Sequence, residues 1–408
     1  MIKISPFRAV RPKRHVASLV ASRSYVSYTD DQLMDKLENN PFTFLHIIHP
    51  DQYAVERKQG TEKYEMVRDK YRDFTMEGVF QKDETESIYL YQQHTHSHVF
   101  TGLIAAVSVH DYLEGRVMIH EQTLTQREEM FKEYLKVTGF NAEPVLLMYP
   151  ENHEVNQVMG KVMDERPEFE FTTTDKVTHF LWKIEDTNDL QTLTTAFSTM
   201  DKIYIADGHH RSASSALLSE ELTNEGKTGP FDHFMAYLIP ESAIHIHGFH
   251  RLIKNTNLSK DSFMKELEQS FIVSEWGHSK YHPDRLHEMG MYIDGMWYTL
   301  TSKPGSFNPN DPIASLDAEI LSRNVLQPIL GISDLRNDPR VDFMPGDKGC
   351  DAIETAVNSG KFEVGFALYA VTTDQLKSVA DAKCIMPPKS TYIEPKLRSG
   401  LTIYELLD

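Results

Sequence analysis

The stretch KIYIADGHHRSASSALLSEE, Lys202 to Glu221, joins a short apolar run to a row of small residues through Asp, Gly, two His and an Arg. Ile203, Tyr204 and Ile205 are β-prone, Asp207-Gly208 is turn chemistry, and Ser212 to Leu218 contains neither Gly nor Pro and suits a helix. The polar cluster is therefore predicted at a strand-to-helix corner. Amides at a helix start lack intrahelical acceptors and carry partial positive charge, so His209, His210 and Arg211 would reinforce an anion site there. Asp207 adds a hard oxygen ligand suited to Mg2+. The competing reading is an N-cap Asp with surface His and Arg.

Around that corner, 408 residues at 40% hydrophobic content are enough for two or three domains with cores of their own. The balance of 42 basic against 60 acidic residues, net -18, opposes association with polyanions, so nucleic acid is not expected as the main partner. Cys350 and Cys384 are the two cysteines and form no CxxC pair, which fits a reducing, cytoplasmic compartment. The longest apolar run, Val99 to Val109, is far shorter than the roughly 20 residues a membrane helix needs, and reads as a buried strand. The first 29 residues are basic without an acid, but Pro6 and Pro12 interrupt an amphipathic targeting helix, so a folded or surface-packed arm is expected.

Thr29 and Asp30 cap a predicted helix over 30–40, and Glu62 to Glu77 has the composition of a surface helix. Ile88 to Tyr91, Val99 to Val109, Val117 to Ile119 and Val145 to Tyr149 read as strands, with a helix over Gln126 to Thr138. His233 to Ile239 and Ala243 to Ile246 have strand character, and Lys260 to Ser270 is helical. Asp294-Gly295 marks a hairpin within Met291 to Leu300, Ala314 to Leu330 reads as helix up to Pro328, Glu363 to Val371 as strand and Thr373 to Ala382 as helix. Ser302 to Pro312 is the nearest thing to an internal linker. The expectation is an α+β chain with a mixed, mostly antiparallel sheet core, inserted helices and an additional α/β C-terminal region. The boundaries are an N-terminal arm and helical region over 1–80, a core over 81–255 and the C-terminal region over 256–408.

No GxxxxGK[ST] or GxGxxG occurs, so a nucleotide would need another phosphate cradle. His120, Glu121 and Thr123 follow a strand, where loop-end polar groups meet substrates, and Glu121 is a candidate base for an acceptor hydroxyl, against the plainer reading of a surface Glu. HExxH is absent because position 124 is Leu. His94, His96 and His98 alternate, a spacing that on a strand puts three imidazoles on one face, either as metal ligands or as a solvated face. His245 and His247 repeat it, and His250-Arg251 is a compact cationic pair suited to phosphate or to surface acids. Among three prolines near the C-terminus lie Lys389, Lys396 and Arg398, held over a site or packed as an ordered tail. Basic residues gathered in separate motifs of an acidic chain favour a small anionic ligand.

These motifs, PFRAVRP at Pro6 to Pro12, NPFTFLHII at Asn40 to Ile48, HEQT at His120 to Thr123, IADGHHR at Ile205 to Arg211, HRLI at His250 to Ile253 and MPPKSTYIEPKLRSGL at Met386 to Leu401, resemble the family called domain of unknown function 1015. One departure is SRSYV at Ser22 to Val26, where a Pro-Pro-Tyr-Asp stretch is expected. GHHRSAS is similar to the GxxRxxA phosphate-binding box of the ParB and sulfiredoxin superfamily, with Ser214 where Ala is usual, and DGHHR is similar to its free serine kinases. His209 stands where sulfiredoxins carry their reactive Cys, which disfavours sulfinic acid reduction.

The resemblance implies a ParB/sulfiredoxin-like core and Mg2+-dependent phosphoryl transfer from ATP, ADP or another phosphoanhydride to a small hydroxylated metabolite, foremost free L-serine. In that scheme Glu121 is the base and Asp207 holds Mg2+ or orients the acceptor. His209 is catalytic and shares the phosphate cradle with Gly208, His210, Arg211 and Ser212. His250, Arg251 and Lys389 are further phosphate contacts, and His120 and Thr123 touch the acceptor. Rival expectations are a nucleotide-binding regulator without turnover and a metal-dependent phosphatase using the alternating histidines. No nucleic acid or membrane partner is expected.

Overall fold

Apolar alternation in the first half of the chain resolves into one mixed sheet. The protein is seen in a computed structural model that describes residues 1–24, 27–54 and 56–407. Among these, nine strands join: β1 (Ile4–Ser5), β2 (Ile88–His94), β3 (Val99–Ser108), β4 (Val117–Met118), β5 (Val145–Tyr149), β6 (Phe169–Thr172), β7 (Thr178–Ile184), β8 (Ile203–Asp207) and β9 (His233–Pro240). Their order is β4-β8-β5-β9-β3-β2-β7-β6, with β1 added to β3. β4 runs parallel to β8 and β5 parallel to β9, while the other pairs are antiparallel. The α+β class and the mixed, mostly antiparallel sheet are thus as expected.

Six longer helices accompany this sheet: α1 (Asp30–Asn39), α2 (Gly60–Met76), α3 (Thr125–Thr138), α4 (His153–Met163), α5 (Thr187–Ser198) and α6 (His209–Asn224). Ile203 and Ile205 of β8 face a core that holds Val155 and Met159 of α4, Leu193 and Phe197 of α5 and Ala216 of α6. Burying each Ile fully is worth about 1.5–3 kcal/mol, which anchors the strand that leads into the corner. α1 starts with a capping box, Thr29 and Gln32 exchanging side-chain and backbone bonds. The chain divides into two compact units, and all of these elements belong to the first, made of Met1–Ile119, Thr123–Ile244 and Pro395–Asp408.

The second unit comprises His120–Gln122 and His245–Glu394. Among its described residues is an antiparallel sheet of β10 (Phe249–Ile253), β11 (Phe271–Gly277), β12 (Glu288–Ile293), β13 (Met296–Ser302), β14 (Val341–Pro345) and β15 (Val364–Ala367), in the order β11-β13-β12-β15-β10-β14. Helices α7 (Lys260–Ser270), α8 (Cys350–Asn358) and α9 (Thr373–Asp381) belong to the same unit. The hairpin at Asp294-Gly295 is present, both residues having positive φ (50° and 76°), as a tight turn of this kind requires.

Several elements differ from expectation. β2 ends at His94 and β3 begins at Val99, so His96 and His98 lie in the hairpin turn and the three histidines do not share a strand face. Thr95 accepts the His98 amide there, turn chemistry that outweighs the alternating pattern. The helix expected over 314–330 is a short α-helix, Asp317–Leu321, followed by a π-helical turn, Ser322–Leu326. Asp311 accepts the amides of Ile313 and Ala314, holding the approach as a turn. The strand expected over 243–246 is His245–His247, paired with Tyr392–Glu394. Ser302 to Pro312 lies inside the second unit rather than linking units. Of the SRSYV departure, Tyr25 and Val26 lie outside the described residues, and Ser22 bridges to Ser399. No helix among the described residues is long and apolar enough to cross a membrane.

Candidate functional site

The strand-to-helix corner stands where the quoted stretch places it. β8 is buried up to Ala206, Asp207 emerges half exposed, and Gly208 turns the chain with φ 104° before α6 begins at His209. That φ favours glycine, and α6 has no side-chain cap. The amides of a helix's first turn have no intrahelical acceptors. Ser212, Ser214 and Ser215 turn their hydroxyls back into the helix, donating to the carbonyls of Gly208 and His209, of His210, and of Arg211. These small buried residues let α6 pack closely, and Ser212 in particular directs its hydroxyl and its amide to Gly208 rather than outward.

Arg211 folds back over its own helix start. Nη1 donates to the carbonyl of Pro144 at 2.7 Å and lies 3.0 Å from Oε1 of Glu143, and Nη2 stands 3.4 Å from Oδ2 of Asp207. Its side chain keeps 21% exposure. In this arrangement the guanidinium orders the loop at Glu143-Pro144 against the corner. A cation missing from the expected set takes a place beside it, since Nζ of Lys396 lies 3.8 Å from Oδ2 of Asp207. Ser399, in the same C-terminal run, donates to Glu143 at 3.4 Å.

The remaining corner residues have distinct surroundings. His209 is buried and His210 half-buried, and the pKa of His210 is lowered by burial and by Arg127, against the opposing charge of Glu128. Thr123 donates its hydroxyl to Glu128, at the start of α3. As for Mg2+, no group of three His, Cys, Asp or Glu that could hold a metal occurs among the described residues. Asp207 offers one half-exposed carboxylate, which fits an ion that arrives on nucleotide phosphates with most of its ligands and does not fit a resident all-protein site.

His120 and Glu121 sit in the second unit together with His250, Arg251 and Lys389. The Met386 amide donates to the buried His120 carbonyl at 2.9 Å, and Nη2 of Arg251 donates to the Pro388 carbonyl at 3.3 Å, so the HEQ, HRLI and MPPK motifs share the 386–388 segment. Glu121 is exposed. His250 accepts the Leu368 amide at Nδ1, 3.2 Å, and burial, then the neighbouring Arg251, push its pKa down to about 4. Nζ of Lys389 lies 5.6 Å from the Phe249 ring centre. The structure therefore gathers the candidate residues into two sets, one per unit.

With this geometry in place, the family is clear. The profile described as "Protein of unknown function (DUF1015)" matches residues 4–319, and the chain belongs to that family. The motif at Met386 to Leu401 lies beyond the matched residues. No curated protein matches the chain. Solved structures similar to it include a free serine kinase in complex with AMP, at 13% identity over 74% of this chain and 91% of that chain with a TM-score of 0.36. SbnI with C-terminal truncation from Staphylococcus aureus matches at 11% identity over 76% and 89%, TM-score 0.39. A conserved hypothetical protein from Pyrococcus furiosus matches at 13% over 74% and 94%, TM-score 0.36.

Proposed function

We propose that the protein is a nucleotide-dependent phosphotransferase acting on a small hydroxylated metabolite, foremost free L-serine. The observation that carries this reading is the corner itself: a buried strand, a left-handed Gly208, an uncapped helix start, and a half-exposed Asp207 beside Lys396. Phosphoryl transfer asks a protein for alignment and charge stabilisation, which amide dipoles and cations supply. In this reading the Gly208, His209 and His210 amides receive the donor's phosphate oxygens, with Lys396 supplying charge. Arg211 holds the corner in shape, and Ser212 supports it from within the helix. Asp207 is the residue that would hold Mg2+, whose chemistry is to neutralise donor phosphate charge. Glu121 takes the acceptor's hydroxyl proton, with His120 and Thr123 near the acceptor and His250, Arg251 and Lys389 as further anion contacts.

The test is incubation with Mg2+, ATP, ADP or pyrophosphate, and pooled amino acids, with phosphorylated products read by mass spectrometry. Glu121→Gln is expected to lower turnover at least a hundredfold while nucleotide affinity changes less than threefold. Equal loss of both would remove Glu121 from the role of base. Nucleotide binding without product from any hydroxyl acceptor would favour a regulator that uses the same corner.

A further inference from the structure

Arg251 lies in the middle of β10, between Phe343 on β14 and Phe366 on β15, and is 0% exposed. No carboxylate is paired with it among the described residues, and burial alone pushes its pKa down to about 9. Its hydrogen bonds are few for five N–H donors: Nη1 reaches the Phe249 carbonyl at 2.8 Å and the His250 carbonyl at 3.5 Å, Nη2 reaches the Pro388 carbonyl at 3.3 Å, and Nε has no partner. The guanidinium stacks on Phe343 at 4.6 Å. A buried charge without a counter-charge costs several kcal/mol, and stacking returns only about 2 kcal/mol.

Preceding it on β10 are Phe249 and His250. Lys389 extends over Phe249, His250 is held neutral with Nδ1 as acceptor so that its ring proton sits on Nε2, and His247 and His282 are near enough to add to the depression of His250. Glu394 is engaged by His247 at 2.8 Å. The edge of Arg251 that lacks good partners is the Nε/Nη2 edge, the one whose two parallel N–H groups match two oxygens of an oxyanion.

We propose that Arg251 anchors a small-oxyanion site in the second unit, and that its occupant is the carboxylate of the acceptor metabolite. One guanidinium edge and a neutral imidazole donor suit a planar monoanion better than a phosphate dianion, whose third oxygen needs further donors. Glu121 belongs to the same unit. The carboxylate assignment rests on the phosphotransferase reading; the anion site does not.

The experiment uses the full chain and isothermal calorimetry with thermal unfolding, comparing L-serine and glycerate with L-serinamide, glycerol and inorganic phosphate. Wild type is expected to bind and be stabilised by the two hydroxy acids and not by the two neutral-headed analogues. Arg251→Lys, which keeps the charge and loses the fork, is expected to bind the hydroxy acids at least tenfold more weakly, and Lys389→Ala a fewfold. Should Arg251→Lys not fold, Lys389→Ala carries the comparison. A folded Arg251 variant with undiminished hydroxy-acid binding overturns the site, and so does a wild type that binds no anion. Binding of phosphate in place of the hydroxy acids overturns the acceptor assignment. Failure of the phosphotransferase reading shows separately, as absence of phosphorylated product with hydroxy-acid binding intact.

Discussion

A Cβ placed on Gly208 would stand 3.0 Å from both Nε and Nη2 of Arg211. The missing side chain and the left-handed turn thus serve one end: they let the guanidinium lie across the helix start and reach Glu143 and Asp207. Gly208→Ala meets both obstacles, since an L side chain is strained at φ 104° and its methyl would push Arg211 outward. The expected cost is about 1–3 kcal/mol in urea denaturation, with weaker nucleotide binding by calorimetry. An unchanged midpoint would show that the corner tolerates a side chain and that Arg211 is not fixed by it.

Glu143 and Arg211 separate two roles for the same cation. If Arg211 orders the Glu143-Pro144 loop while the amides and Lys396 receive phosphate, Glu143→Gln removes a negative charge from the corner and leaves the Pro144 carbonyl as anchor. Nucleotide affinity is then expected to rise about two- to fivefold, and stability to fall by less than about 1 kcal/mol, as for a partly exposed ion pair. Arg211→Ala is expected to lower both. Calorimetry on the pair decides, and parallel losses in the two variants would mean that the ion pair itself is the required feature.

The corner was legible because its signals are local: three β-prone residues, an Asp-Gly turn and a helix-compatible run lie within twenty positions. What surrounds it was not, because Glu143 comes from a segment far off in the chain with no motif of its own, and the C-terminal motif that holds Lys396 does not reveal which carboxylate it meets. Arg211 reads as a phosphate contact from its place at a helix start and from the GxxRxxA likeness; its carbonyl and carboxylate partners depend on the β5 approach, which periodicity does not reveal. The histidine row failed for another reason. The alternating pattern does not register the Thr95 hydroxyl, which accepts the His98 amide and so favours a turn over a strand. In the second unit, HRLI reads as a cationic pair, and only burial distinguishes the fully enclosed Arg251 from a surface arginine.

Acid stability should report a buried histidine of the first unit. His179 is enclosed, with the Tyr91 hydroxyl 2.8 Å from Nδ1, and burial followed by the charge of Arg398 pushes its pKa down to about 3. Its ordinary value is near 6.5, so between the two the unfolded chain holds a proton that the folded chain refuses. The contribution is complete above about pH 6.5 and is lost as pH falls toward 3, at up to about 1.4 kcal/mol per pH unit. His49, lowered to about 4 by burial and by Lys63, acts with the same sign. His179→Gln is expected to flatten the fall in unfolding free energy between pH 6 and 4, measured by urea titration at each pH. A slope equal to wild type would mean that His179 is already protonated in the fold.

Asp207 and Lys396 carry opposite charges 3.8 Å apart at the mouth of the corner, and the phosphotransferase reading assigns them to different ligands. A carboxylate that receives a phosphate-borne Mg2+ repels the bare nucleotide and attracts the magnesium complex. Asp207→Asn should therefore weaken Mg-nucleotide binding about tenfold while leaving or improving binding of the metal-free nucleotide. Lys396→Met should weaken both forms, because its charge meets the phosphates whether or not the ion is present, and the loss should shrink as salt is raised. Calorimetry with and without EDTA distinguishes these patterns from a structural ion pair, in which either change releases the other residue and the two variants behave alike. Matching effects of Asp207→Asn with and without Mg2+ would take the ion away from this carboxylate and leave it as the partner that orients Lys396 and Arg211.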